Sequence, residues 1–284
     1  MTTRLIDIHP HIISPDTKAY PLDPLGGERS GWSATRPATF KEFIAEMDAA
    51  GVDKAAIVHS STTYGFDNSY VADSIASDPG RFAGVYSVDM LAPDATQKMR
   101  YWQERGLSGL RIFTTGSTMP DQAPTLSDPS LHKAWSLAGD LDLPVCVQMT
   151  KAAIPELEKL LKAFPKTTVI IDHLMKAPIV DGEPYTGSKY LFDLARFENL
   201  NLKLTSRNTT DALTGKGTPE TFFPLVIKAF GADRIAWGSN FPASEGSLVD
   251  IVNDLKLCLA SLSEKDRHWI MAGTAQKLYP QLAD

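Results

Sequence analysis

The 284-residue chain carries 28 Lys and Arg against 34 Asp and Glu, a formal net charge of −6, which argues against nucleic acid or another polyanion as a partner. Its hydrophobic fraction of 43% and charged fraction of 22% suit a globular protein with a sizeable core and exclude a disordered chain. No run approaches the ~20 apolar residues that a membrane span needs, no signal-peptide pattern opens the chain, and Cys146 and Cys258 lie inside apolar runs; the expectation is a reduced, cytoplasmic protein.

Short apolar, β-branched runs recur along the chain, each followed by a stretch with helical periodicity. In chain order, strands are predicted over 5–9, 55–59, 82–88, 109–113, 144–149, 168–173, 201–205 and 234–238. Helices are predicted between and after them, over 40–50, 69–77, 95–105, 129–138, 153–163, 188–197, 218–230 and 248–261, with a last helix over 266–271. Thr39 and the Ser261/Ser263 pair stand where helix N-caps belong. Eight strands alternating with helices, in a length that suits a barrel of about 250 residues, predict a single-domain (β/α)8 TIM barrel over 1–284. The Gly- and Pro-rich stretches 14–37 and 114–127 are expected as loops at the C-terminal mouth, where such barrels build their sites.

The densest concentration of chemistry is Asp7-Ile8-His9-Pro10-His11. Strand alternation sends Asp7, His9 and His11 to one face. Two imidazoles at one strand end can chelate a divalent ion such as Zn²⁺ or act as paired groups on a carbonyl. His173 closes the run 168–173 and is expected at the same mouth. His59 also ends a strand, where a structural hydrogen bond is an equal reading; His132 and His268 fall on predicted helices and read as surface residues.

Arg111, on the fourth strand, and Arg207, just after the seventh, could grip a carboxylate in bidentate fashion. Trp32, Tyr64 and Phe66 fall in mouth loops and could wall an apolar ligand; Tyr185 and Tyr190 stand on the same footing. Gln148 shares a strand face with Cys146 and Thr150.

The His-x-His of 9–11, Ile171-Asp172-His173-Leu174 and Ala236-Trp237-Gly238-Ser239-Asn240-Phe241-Pro242 resemble signatures of the amidohydrolase superfamily, in its amidohydrolase-related branch that contains 2-pyrone-4,6-dicarboxylate lactonase and sugar-lactone hydrolases. The segment from Ser60 through Tyr64 to Asn68 and the Gly109-Leu110-Arg111 strand resemble that branch too. The resemblance implies a hydrolase of a lactone or related ester of a small organic acid, with water attacking a carbonyl polarised by His9, His11 and His173. The candidate substrate site, read from the residues placed at this mouth, takes in Ser60, Tyr64, Arg111, Gln148, Arg207 and Trp32. The alternatives are a metal-dependent decarboxylase or hydratase of the same superfamily, and a catalytically impaired or merely binding chain.

The sequence departs from that branch at two places. Asn240 stands where the family places an aspartate serving as general base and, in metal-containing members, as ligand; an amide does neither near neutral pH. His59, Asp89 and Glu28 are then the substitute bases to consider. Gln148 stands where a metal-binding histidine is usual. A divalent ion on His9 and His11 and metal-free catalysis are therefore comparable expectations, with a small molecule as partner and self-association left open.

Overall fold

The computed structural model describes residues 4–283. Eight short strands form it: β1 Ile6–Asp7, β2 Lys54–Val58, β3 Phe82–Tyr86, β4 Gly109–Phe113, β5 Val145–Gln148, β6 Val169–Ile171, β7 Leu200–Thr205 and β8 Ile235–Gly238. They pair in parallel in strict sequence order, β1 to β8. The seam is closed by Ile8, whose N–H donates to Trp237 O at 3.1 Å, and by Ser239, whose N–H donates to Asp7 Oδ1 at 2.8 Å. Gly238 sits at this seam because a Cβ there would lie 2.4 Å from His9 Cβ. The predicted TIM barrel is the fold.

Its strands are almost wholly buried because both faces are covered, and most are predominantly apolar, with Arg111, Gln148 and Lys203 as inserted polar residues. The outer faces pack against the helices in one large cluster that includes Phe43, Trp135, Leu157, Phe222 and Trp237. A smaller cluster joins Ala56, Val58, Ala83, Val85, Cys146 and Ile170 to Tyr279 and Leu282; the C-terminal residues thus pack into the barrel interior, with Tyr279 Oη 3.6 Å from Cys146 Sγ. The helices start where caps are available: Thr39 and Glu42 form a capping box on Phe40–Ala50, and Ser263 accepts from Asp266 N before Glu264–His268. Among the described residues no helix is long and apolar enough to cross a membrane.

Several boundaries differ from the sequence reading, for local reasons. β3 stops at Tyr86 rather than 88 because Asn68 takes over the ladder, accepting from Ser87 N at 2.8 Å and donating to Ser87 O at 2.9 Å. β6 stops at Ile171, where His173, Leu174, Met175 and Lys176 turn at φ of 55°, 47°, 52° and 53°. Non-glycine residues seldom hold this left-handed conformation, and such runs cluster at functional sites. The helix Ser206–Thr214 was not foreseen. Its Ser-Arg-Asn-Thr-Thr start is poor in helix formers, and a Thr205/Asn208 capping box nucleates it.

Candidate active site at the barrel mouth

A cavity of about 180 Å³ opens at the C-terminal strand ends, lined by His11, Trp32, Ser60, Arg111, Gln148, His173, Arg207 and Asn240 among others. Eight of the ten expected site residues therefore meet in one chamber. His9 and Tyr64 do not line it. His9 is fully buried just beneath, its ring centroid 5.0 Å from that of His11 and 4.9 Å from that of His173. Tyr64 is buried too, and its hydroxyl accepts from Ser14 N at 2.7 Å; it holds a loop rather than a ligand.

The hydrogen bonds fix the tautomers of the two histidines that reach the chamber. His11 Nδ1 lies 2.8 Å from Val58 O, and since a carbonyl only accepts, Nδ1 carries the proton. His173 Nδ1 lies 2.9 Å from Thr205 Oγ1. Thr205 donates its hydroxyl proton to Asn208 Oδ1, and Asn208 is held the right way round by donating to His173 O at 3.0 Å. His173 Nδ1 is therefore also the donor. Both rings offer an Nε2 lone pair, which can accept a proton from water but cannot donate to a carbonyl. Burial holds both imidazoles down to about 3, with the Arg111 charge adding to the effect and Asp172 opposing it at His173. Trp32 stacks on His11 at 5.2 Å.

His9 is oriented differently. Lys203 Nζ sits 2.9 Å from its Nδ1, so the lysine donates and the ring keeps its proton on Nε2, a buried atom without a partner. Burial, then the Lys203 charge, pushes the His9 imidazole far below its ordinary range. Lys203 was missed in the sequence, as was Asp172, yet they form the centre of the site. Arg111 Nε pairs with Asp172 Oδ2 at 2.9 Å, and Lys203 Nζ lies 2.9 Å from Asp172 Oδ1 in a direction that falls short of a hydrogen bond. Burial alone would raise the Asp172 carboxyl; the Lys203 and Arg111 cations override it and hold the group ionised far below the usual range.

Arg111 is thus not the open carboxylate clamp expected of it. Its Nε is taken by Asp172 and its Nη2 donates to Gln148 Oε1, which leaves Nη1 as the group it can offer a ligand. Gln148 in turn donates to Thr115 O at 2.8 Å, tying β5 to the mouth loop. Arg207 stands in the chamber wall with Lys176, which the sequence reading did not single out. Burial and the neighbouring Arg207 charge lower the Lys176 amine. Three cations and no carboxylate line the chamber, a lining that favours an anionic guest.

Asn240 holds φ of 58°, a conformation asparagine tolerates, and its Nδ2 donates to Ser244 Oγ at 2.9 Å. Its Oδ1 remains an acceptor for water or substrate. None of the alternative bases lines the chamber: His59 is buried and bonded through Nε2 to Gly65 O at 2.8 Å, Asp89 lies in an adjoining hollow with Phe66, and Glu28 is absent from both walls. Tyr185 and Tyr190 are structural, their hydroxyls engaged by Thr221 and Met175 O.

A divalent ion fits this donor set poorly. Among the described residues the one group of three ligand-type side chains with donor atoms within 4.8 Å of one another is His9, Asp172 and His173, not the His9 and His11 pair that the sequence suggests. The Lys203 Nζ already contacts two of the three.

A parallel eight-stranded barrel with a polar chamber at its C-terminal strand ends is the architecture of TIM-barrel enzymes. The chain belongs to the amidohydrolase family, whose model matches residues 6–281. It is 25% identical over 98% of its length to a 4-sulfomuconolactone hydrolase of Hydrogenophaga intermedia, covering 89% of that protein. It is 27% identical to an L-fucono-1,5-lactonase of Burkholderia ambifaria, over 69% of this chain and 67% of that one. Among solved structures, a candidate 2-pyrone-4,6-dicarboxylic acid hydrolase of Pseudomonas putida superposes with a TM-score of 0.79 at 20% identity, over the full length of both chains.

Proposed function

We propose that the chain hydrolyses a lactone, or a closely related ester, of a small organic acid that carries a carboxylate or sulfonate. The observation that carries this reading is the pairing, in one chamber, of two neutral imidazoles presenting Nε2 lone pairs with an inward-facing surplus of positive charge. Sequence likeness to two lactone hydrolases supports it.

In this reading Arg207 and Lys176 hold the anionic group of the substrate, and Arg111 Nη1 meets the carbonyl oxygen. Water, oriented by Asn240 Oδ1, attacks the carbonyl carbon while its proton passes to Nε2 of His11 or His173. The negative charge of the bound substrate lifts the proton affinity of those imidazoles toward the working range. The developing oxyanion is stabilised by Arg111, backed by the Lys203 charge beneath it. The ring C–O bond then breaks, and the leaving alkoxide recovers the proton from the imidazolium, giving a hydroxy acid. An aspartate at 240 is not needed for this route.

The test is a lactone panel containing carboxylated and sulfonated members with their neutral counterparts, followed by product analysis. Anionic lactones are expected to be opened, and Arg207→Ala to raise KM by about 10- to 100-fold with a smaller change in kcat, the loss expected for one charge-assisted contact. Tight binding of these acids without turnover, by the native chain and by Asn240→Asp alike, would leave only a binding protein.

A further inference from the structure

Beneath the chamber, in the barrel interior, Lys203 is fully buried on β7. Its Nζ is 2.9 Å from His9 Nδ1, 2.9 Å from Asp172 Oδ1 and 3.2 Å from Cys146 Sγ. Imidazole nitrogen, carboxylate oxygen and cysteine sulfur are the donor types that hold zinc. An ammonium group with three N–H bonds can serve three such acceptors equally well. A divalent ion drawn to His9, Asp172 and His173 would have to share that space with a positive charge hydrogen-bonded to His9 and ion-paired with Asp172, a repulsion that the water-excluded interior screens weakly. The donated hydrogen bond also places the His9 proton on Nε2 and so removes the lone pair that a metal would need there.

We propose that the Lys203 ammonium is the resident cation of this site, standing where a metal ion would otherwise bind and holding His9 and Asp172 in a metal's place. Asp172 anchors Arg111 through its other oxygen, so Lys203 is a positioning residue whose charge reaches the chamber through that pair. The same contacts account for a fully buried lysine: its ammonium faces one carboxylate, one imidazole nitrogen and one thiol where a ligand sphere would be. This inference concerns the cation and stands whichever reaction the chamber performs.

The test compares zinc uptake by the native chain and by Lys203→Met, which keeps the length of the side chain without its charge. Each protein is stripped with chelator, incubated with zinc chloride, desalted and analysed for metal. The native chain is expected to retain essentially none, and Lys203→Met roughly one zinc per chain, removed again by a second substitution, Asp172→Ala. Retention of stoichiometric zinc by the native chain, lost in His9→Ala, would overturn the proposal. So would a folded Lys203→Met that takes up no zinc. If Lys203→Met does not fold, the native chain decides alone: native protein that stays metal-free after incubation with zinc chloride, with a thermal midpoint unmoved by zinc or by chelator, sustains the proposal, and stoichiometric zinc that raises the midpoint and is lost in His9→Ala refutes it.

Discussion

Lowering the pH from about 7 to about 5 should remove a large part of the fold's stability, because four buried imidazoles, His9, His11, His59 and His173, must stay neutral in it. Burial holds His11 and His173 down to about 3 and His59 to about 4, whereas an unfolded histidine titrates near 6.5. The folded values are depressed, so the stability these groups contribute is complete above about pH 6.5 and is lost as the pH falls toward the folded values. Near pH 5 the unfolded chain has gained almost a full proton at each site and the native chain almost none, a cost of about 2 kcal/mol per imidazole and about 6 kcal/mol for the three. Asp7 works in the opposite sense. Burial raises its carboxyl to about 6 against the hydrogen bonds from Ser239 and His9, so its ionisation weakens the fold as the pH rises through that value; acidification to about pH 5 returns about 1 kcal/mol. These three imidazoles and Asp7 lose about 5 kcal/mol between them, and the still more depressed His9 adds to the loss in the same direction; that is comparable with the whole stability of many domains. Urea unfolding followed by tryptophan fluorescence at the two pH values reads it as a lower midpoint at constant slope, and His59→Gln should reduce the pH-dependent loss by about 2 kcal/mol. An unchanged midpoint between the two pH values would refute the reasoning, since it would mean that the native imidazoles take up protons freely.

Two further perturbations probe the interior. Asp172→Asn leaves Arg111 and Lys203 buried without their shared counter-charge; it should cost about 3–5 kcal/mol by chemical denaturation and depress turnover at saturating substrate as well as KM-limited turnover. Gly238→Ala drives a Cβ to 2.4 Å from His9 Cβ and 2.9 Å from His9 N. It should open the β1–β8 seam at a cost of about 1–3 kcal/mol and lower lactone turnover through the displaced His9, while Gly80→Ala, with open space around it, leaves both unchanged.

The barrel was readable because its strands are buried on both faces and so announce themselves as apolar runs between helical stretches. Much of the mouth was readable too, since a histidine closing such a run has few places to go. What the sequence could not carry was depth and pairing. Alternation puts His9 and His11 on one face, but only the barrel's closure decides that His11 reaches the chamber and His9 stops beneath it. Arg111 reads as a free clamp until strand order brings it to Asp172, 61 residues away in sequence. Lys203 carried no signal of its own, because one lysine in a strand that alternates Leu200-Asn201-Leu202-Lys203-Leu204 ordinarily faces solvent; only the closed barrel turns that polar face inward. Tyr64 failed for the converse reason, as an aromatic in a mouth loop whose hydroxyl turned out to be occupied by the backbone of Ser14.

The left-handed turn after β6 bears on how such a site can change over time. His173 and Lys176 leave the same short segment of backbone, three residues apart, and both face the chamber. The spacing between the Cα atoms of the two residues, proposed above as a proton acceptor and a holder of the anionic group, is therefore written into main-chain geometry. A lineage, or an engineer, seeking to accept a longer or shorter acid cannot easily move one of these groups without moving the other. Room for new substrates lies on the opposite wall, in the loops that carry Trp32 and Ser117, where residues can be exchanged without resetting the catalytic register.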